Sequence, residues 1–329
     1  MKEGHIIYCG PVKINIVKDN SLMGKMTVDH ITEVIKEKYL QNKIIVLWLM
    51  AAPSGFPFYQ ALIEKVKRDR FLRKIIKETH FFQFDDYPIS RKSRKFSVTF
   101  RYLLENNLFI PLKNLGAELP YIHFLELTGT DKDKEITKTY KEELLNLRKE
   151  NSYILQLKGI GMDGHWGFHG AETPLDMMPD MIEVPMNKQN IQQQRIDWPE
   201  LFPRIEDVPK TAYTFNVNAF LLADEIIDNV PQPTKEYAVL ATYGTDDIIN
   251  EIPSSALKKH HNAQAYITEE VAKALIEFRE GRCKNKDYKL SNTTLNRLRS
   301  LWKDDKNQTY SQQSIKVMEE VLRKLNIIV

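Results

Sequence analysis

Cysteine is scarce: Cys9 and Cys283 are the only two in 329 residues. Two thiols so far apart exclude a disulfide framework and a cysteine-ligated metal site, and they suit a reducing compartment, so a cytoplasmic protein is expected. Long apolar runs are also missing. The longest, Ile44 to Pro53, falls far short of the roughly 20 residues that a membrane span needs, so a soluble chain with no membrane partner is expected. Met1 to Pro11 shows no charged stretch followed by a long apolar one, and no signal peptide is expected. There is no excess of either charge. The 47 basic residues against 44 acidic leave a net +3, with no basic stripe interleaved with aromatics, and no nucleic-acid partner is expected. The sequence has no His-Glu-x-x-His, no acidic calcium loop and no Gly-Lys-Ser/Thr phosphate loop, which argues against a bound metal and a Walker-type nucleotide site.

What is present suits a globular fold with a sizeable core: 42% hydrophobic and 28% charged residues. Val28 to Tyr39 has helical spacing, and Ile44 to Leu49 is an unbroken apolar run of the kind buried on both faces of a parallel sheet. A small-residue turn, Ala51 to Gly55, and a helical segment, Phe58 to Arg70, complete a strand–turn–helix unit. The alternation continues. Strands are expected at His80 to Phe84, Ile122 to Leu127, Tyr153 to Leu157, Ala212 to Val217, Tyr237 to Thr242 and Ala263 to Ile267. Helices are expected at Phe96 to Asn106, Glu135 to Leu147, Asn218 to Ile227, Asp246 to Glu251 and Glu269 to Phe278. The pattern predicts an α/β fold, a doubly wound, mostly parallel sheet with helices on both faces. Met177 to Pro203 has no clear period and reads as an excursion over the site or at a subunit contact. The chain divides into an α/β domain at 1–280 and a C-terminal helical extension at 281–329. In the extension, Thr293 to Trp302 and Ser311 to Leu325 look helical, and Ile315, Met318, Val321, Leu322 and Leu325 form an apolar stripe suited to docking on the domain or on a partner.

Ligands of such sheets sit beyond the carboxyl ends of the strands, where three polar segments fall. In Gly159-Ile160-Gly161-Met162-Asp163-Gly164-His165, glycines let the backbone turn tightly after a strand, and a carboxylate and an imidazole follow two residues apart. Such a pair suits acid–base work near neutral pH, and a Gly-rich turn with a capping histidine is the bland alternative. Asp85-Asp86-Tyr87 places adjacent carboxylates just past an aromatic strand, as a base or as a solvated turn. Asp85, Asp86, Asp163 and His165 could otherwise offer oxygen and nitrogen ligands to a metal. The turn at Ser54 and Gly55 could hold a phosphate on backbone amides at a helix start, although Pro53 contributes no donor.

Together these segments, with Pro209 to Ile226 and Ile252-Pro253-Ser254-Ser255-Ala256-Leu257, resemble the glucosamine-6-phosphate deaminase and 6-phosphogluconolactonase superfamily over about Ile44 to Leu275. Asp85-Asp86-Tyr87 and the Phe168 after Trp166 look closer to the deaminase branch. The resemblance implies a phosphorylated sugar substrate, no cofactor and no metal, and a homo-oligomer is expected. It implies that Asp85 moves a proton between C2 and C1 of the open-chain sugar, while Asp163 and His165 open the ring. Ser54, Gly55, Arg195 and Lys235 then grip the phosphate, with Asp86, Gly164 and His169 as further binding residues. Two departures stand out. Ala52-Pro53-Ser54 replaces the family's Gly-Gly-Thr/Ser turn, and His169-Gly170 replaces its Asn-Glu pair, leaving Glu172 as the nearest acid to support His165. A lactonase using His165 to activate water, and a non-catalytic sugar-phosphate-binding regulator, are the other readings.

Overall fold

The computed structural model describes residues 5–303 and 312–329. It opens with a hairpin, β1 (His5–Cys9) and β2 (Val12–Val17), then α1 (Asn20–Leu40), whose first turn is capped by the Asp19 carboxylate accepting from Leu22 N–H at 2.9 Å. β3 (Ile44–Leu49) is followed by α2 (Phe56–Arg68), α3 (Arg70–Glu78) and β4 (His80–Gln83). The helix expected at Phe58 to Arg70 is α2, and α3 was not foreseen. Asp69 separates them, because its carboxylate accepts from Leu72 N–H at 2.8 Å and so starts a new helix.

The next elements are β5 (Asp85–Asp86), α4 (Phe100–Leu104), a π-helical turn at Glu105–Phe109, α5 (Ile110–Asn114), β6 (Ile122–His123), α6 (Asp133–Lys149) and β7 (Ser152–Lys158). The Met177 to Pro203 excursion contains β8 (Met181–Pro185) and α7 (Lys188–Asp197). Then come β9 (Thr211–Phe215), α8 (Val217–Phe220), β10 (Glu225–Val230), α9 (Glu236–Tyr243), β11 (Ala263–Thr268), α10 (Glu269–Lys284), α11 (Asn292–Lys303) and α12 (Gln312–Lys324).

Eight strands form one sheet in the order β1-β2-β11-β10-β7-β3-β4-β6, parallel apart from the β1–β2 hairpin. The mostly parallel α/β architecture agrees with the sequence. A second, antiparallel sheet, β5-β9-β8, was not foreseen; Ala212 to Val217 is a strand, but it pairs there with Asp85-Asp86.

Three local expectations are corrected. Tyr237 to Thr242 is helix α9: all of its residues are buried, and a run apolar on every side carries no period to tell helix from strand. Helix stops at Phe220 in the Asn218 to Ile227 stretch, and Glu225-Ile226-Ile227 begins a central strand paired on both edges, where β-branched side chains pack well. Asp246 to Glu251 forms no helix.

Helix α10 runs through residue 280, and α11 and α12 pack onto the same core as the sheet. Ile315, Met318, Val321, Leu322 and Leu325 are all buried, so the stripe faces the domain. Each such side chain contributes about 1.5–3 kcal/mol of burial. The expected helix start at Ser311, like the Met1 to Gly4 segment, lies outside the described residues. No helix among the described residues is long and apolar enough to cross a membrane.

Candidate active site

Strands β3, β4, β7 and β10 run parallel, and the segments leaving their carboxyl ends meet around one cavity of about 660 Å³. Ser54, Asp85, His165 and Lys235 all line it. Phe84, which lines the cavity, belongs to an aromatic cluster. Trp48 packs against Phe84, Phe215 and Phe220 at centroid separations of 5.7, 4.8 and 5.2 Å, and Trp166 stacks on Phe220 at 5.4 Å. Such packing fixes the loops that carry the polar groups.

Asp85 opens β5, held opposite Thr214 of β9, and is only 3% exposed. Burial, then the neighbouring Asp86 charge, raises its carboxyl well above the usual carboxylate range, and the nearby Phe168 N–H donates to Thr214 Oγ1 at 3.2 Å. The result is a carboxylate more basic than one in water. Gly167, at φ +62°, lets the chain pass beside it; a Cβ there would stand 2.7 Å from Thr214 Oγ1 and 3.0 Å from Asp85 Oδ2.

His165 Nδ1 lies 2.6 Å from Asp163 Oδ1. Asp163 is set behind the ring rather than on the cavity wall, and its other oxygen accepts from Asn187 Nδ2 at 3.2 Å. Burial pushes the Asp163 carboxyl up, but the His165 imidazole, with hydrogen bonds from His165 and Asn187, carries it down to about 2. Because Asp163 is an acceptor, Nδ1 carries the hydrogen and Nε2 is the atom able to exchange a proton with a ligand. The ring lies flat on Gly161, where a Cβ would meet three imidazole atoms at 2.2–2.3 Å. Ser254 secures the same loop, with its N–H on Gly164 O at 2.9 Å and its hydroxyl on His165 O at 3.0 Å.

At the turn after β3, Lys235 Nζ donates to Ser54 Oγ at 2.8 Å and Ser54 donates to Gln232 Oε1 at 2.9 Å. Lys235 is the only lysine or arginine among the described lining residues.

Several expected site residues lie elsewhere. Asp86 is fully buried: Arg101 Nε stands 3.2 Å from it, and Phe100 N–H, Arg101 N–H, Tyr87 N–H and Gln83 Nε2 all reach its oxygens. It anchors the start of α4 instead of meeting a ligand, and stripping away Arg101 would strand its charge at a cost of about 3–5 kcal/mol. His169 is also internal. Its Nδ1 accepts from Val217 N–H at 3.2 Å and its Nε2 bonds Thr173 O at 3.0 Å, which requires the neutral ring; burial lowers its pKa to about 4. Gly55 and Gly164 shape turns and do not line the cavity, Gly164 at φ +89°.

Arg195 is not among the lining residues, and its guanidinium reaches Pro203 O at 3.4 Å. On α7 and just after it, Asn190, Gln194 and Trp198 line the cavity at four-residue spacing, so position 195 falls about 100° around the helix. Glu172 is exposed, yet its Oε2 stands 2.7 Å from the point a Cβ on Gly170 would occupy, and Asn187 Nδ2 stands 3.6 Å from it. Among the described residues no hydrogen bond joins Glu172 to His165, and no group of acidic, histidine or cysteine side chains could hold a metal ion.

Sequence reasoning missed Asn187, Ser254, Gln232 and a buried pair beneath the site. Lys158 Nζ stands 3.1 Å from Asp228 Oδ2 and 4.6 Å above the centre of the Trp166 ring, with both charges fully buried. A lysine ending a mostly apolar strand was the available signal.

No family model matches the chain. It is 27% identical over 241 residues to the glucosamine-6-phosphate deaminase of Shouchella clausii, covering 72% of this chain and 88% of that one. It is 26% identical over 255 residues to that of Oceanobacillus iheyensis, covering 77% and 92%. Among solved structures, a monomeric glucosamine-6-phosphate deaminase superposes with TM-score 0.66 at 21% identity, over 79% of this chain and 98% of that one. The 6-phosphogluconolactonase of Trypanosoma brucei gives 0.59 at 14%, over 81% and 99%. The two superpositions establish the fold.

Proposed function

We propose that this chain, which belongs to the glucosamine-6-phosphate deaminase and 6-phosphogluconolactonase superfamily and stands closer to the deaminase branch, isomerises a hexosamine 6-phosphate from aldose to ketose with release of ammonia. One observation carries the reading: a buried basic carboxylate, Asp85, and a carboxylate-held imidazole, His165, face the same cavity as a lysine–serine pair suited to a phosphate.

Lys235 and the Ser54 hydroxyl hold the phosphate at the turn before α2, a charge-assisted contact that also fixes the sugar's direction. His165, oriented by Asp163, exchanges the proton that opens the pyranose ring. In the open chain the C2 hydrogen is acidified by the adjacent carbonyl. Asp85 takes that proton and returns it to C1, and its burial keeps water from competing for it. The imine left at C2 takes up water and releases ammonia. No redox cofactor or metal enters this route. Glu172, whose Oε2 stands 2.7 Å from the point a Cβ on Gly170 would occupy, is the acid this reading assigns to support the dyad. Self-association in the cytoplasm belongs to the same reading; sedimentation at a single chain's mass would overturn the oligomer.

The test offers glucosamine 6-phosphate and 6-phosphogluconolactone to the parent and to Asp85→Asn. Turnover of the amino sugar by the parent alone supports the isomerase. Lactone hydrolysis surviving the substitution would support a lactonase, and binding of both without turnover would support a regulator.

A further inference from the structure

The cavity is both larger and more apolar than a bare hexosamine phosphate requires. Its 660 Å³ equals the space of roughly twenty liquid waters at about 30 Å³ each. A hexosamine phosphate has about sixteen non-hydrogen atoms, and bonded atoms pack closer than separate waters, so much of the space stays unfilled. The surplus has a chemical character. Val98, Phe100, Phe168 and Trp198 line it on the cavity-facing side of a second hydrophobic cluster, and Leu103, packed on the main core as Phe100 also is, continues the wall. Phe100 and Phe168 stack in parallel, 5.3 Å apart at 1°, giving a rigid surface. The wall starts beside Asp85, because Phe168 follows Gly167, where a Cβ would stand 3.0 Å from Asp85 Oδ2. It therefore adjoins the reacting carbons, while Lys235 and Ser54 hold the phosphate at another part of the rim.

Resting on the function proposed above, we infer that the substrate is an amino-sugar phosphate whose C2 nitrogen carries an apolar alkyl or aryl group lying against the Phe100–Phe168 wall. The chemistry balances as for the parent reaction. The C2 proton moves to C1, the substituted imine at C2 takes up one water, and the C2–N bond breaks to give the ketose phosphate and a primary amine that keeps the apolar group. Two polar groups on the same lining, Asn107 from the π-helical turn and Gln194 from α7, are available to the ends of that substituent.

Isothermal titration compares N-benzylglucosamine 6-phosphate with glucosamine 6-phosphate on the parent, Leu103→Gln and Trp198→Ala. The parent is expected to bind the benzyl compound at least tenfold more tightly, and both variants to reduce that ratio severalfold, the ratio serving as the internal control for folding. Glucosamine 6-phosphate bound as well as or better than the benzyl compound would overturn this inference and leave the isomerase reading standing. A tenfold preference that neither variant reduces would overturn the assignment of the wall. Binding of neither compound would remove the sugar-phosphate reading itself.

Discussion

Replacing Gly161 by alanine adds one methyl group, and the geometry says where it goes. The new Cβ would stand 2.2–2.3 Å from three atoms of the His165 ring, more than 1 Å inside ordinary contact. Backbone relief is restricted, because Gly161 N–H is bonded to His165 O and Gly164 N–H to Gly161 O, both at 3.0 Å. The imidazole must therefore move by about 1 Å, giving up the 2.6 Å bond from Nδ1 to Asp163. A misplacement of that size costs on the order of 10²-fold in rate where proton transfer depends on alignment. Stability should fall much less, by about 1–3 kcal/mol, since the ring is partly exposed and can swing outward. Steady-state kinetics on glucosamine 6-phosphate, with circular dichroism to check folding, reads both effects. Full kcat in a folded Gly161→Ala protein would refute the claim that His165 works from this position.

Lys235→Ala should weaken binding of the phosphorylated sugar by about 1.5–3 kcal/mol, the worth of a hydrogen bond to a charged group, and leave the unphosphorylated sugar little changed; calorimetry showing equal losses would make Lys235 structural. Asp163 has a depressed carboxyl, so its stabilisation is present above the unfolded value near 4 and disappears as pH falls through about 2. Urea titrations of Asp163→Asn against the parent should show a deficit of about 2 kcal/mol at pH 5 that closes toward pH 2, and a pH-independent difference would contradict the pairing with His165. Glu172→Gln should slow turnover of cyclic substrate severalfold and spare an open-chain analogue, measured side by side; unchanged rates on both would leave Glu172 a surface residue.

Strands buried on both faces were plain in the sequence. β3, β4, β7 and β11 are short apolar runs ended by polar or glycine-rich turns, and those turns carry Ser54, Asp85 and His165. The same signal misled at Tyr237 to Thr242, where helix α9 is buried on every side and its period vanishes. Polar residues were harder still. Asp86 and His169 look reactive as letters, but each is consumed by neighbours that spacing does not reveal: Arg101 and backbone amides for one, the distant Val217 and the nearby Thr173 for the other. Counting along the chain reached α7 but not the face it presents, so Arg195 was expected where Gln194 stands. Glycine spacing marked the His165 loop, while Ser254 and Asn187, which hold that loop and its carboxylate, come from segments 89 and 24 residues away from their partners.

The central claim is that Asp85 takes a proton from C2, and solvent exchange at that carbon tests it most directly. Proton NMR of glucosamine 6-phosphate incubated in D2O follows the C2 hydrogen and the C1 position of the ketose product. The account predicts loss of the C2 hydrogen under the parent, with either that hydrogen or solvent deuterium appearing at C1 of the ketose, and neither above background under Asp85→Asn, a near-isosteric change that removes both the base and its buried charge. Exchange or transfer at the parent's rate in Asp85→Asn, or turnover by the parent to a product that keeps its hydrogen on C2, would contradict it.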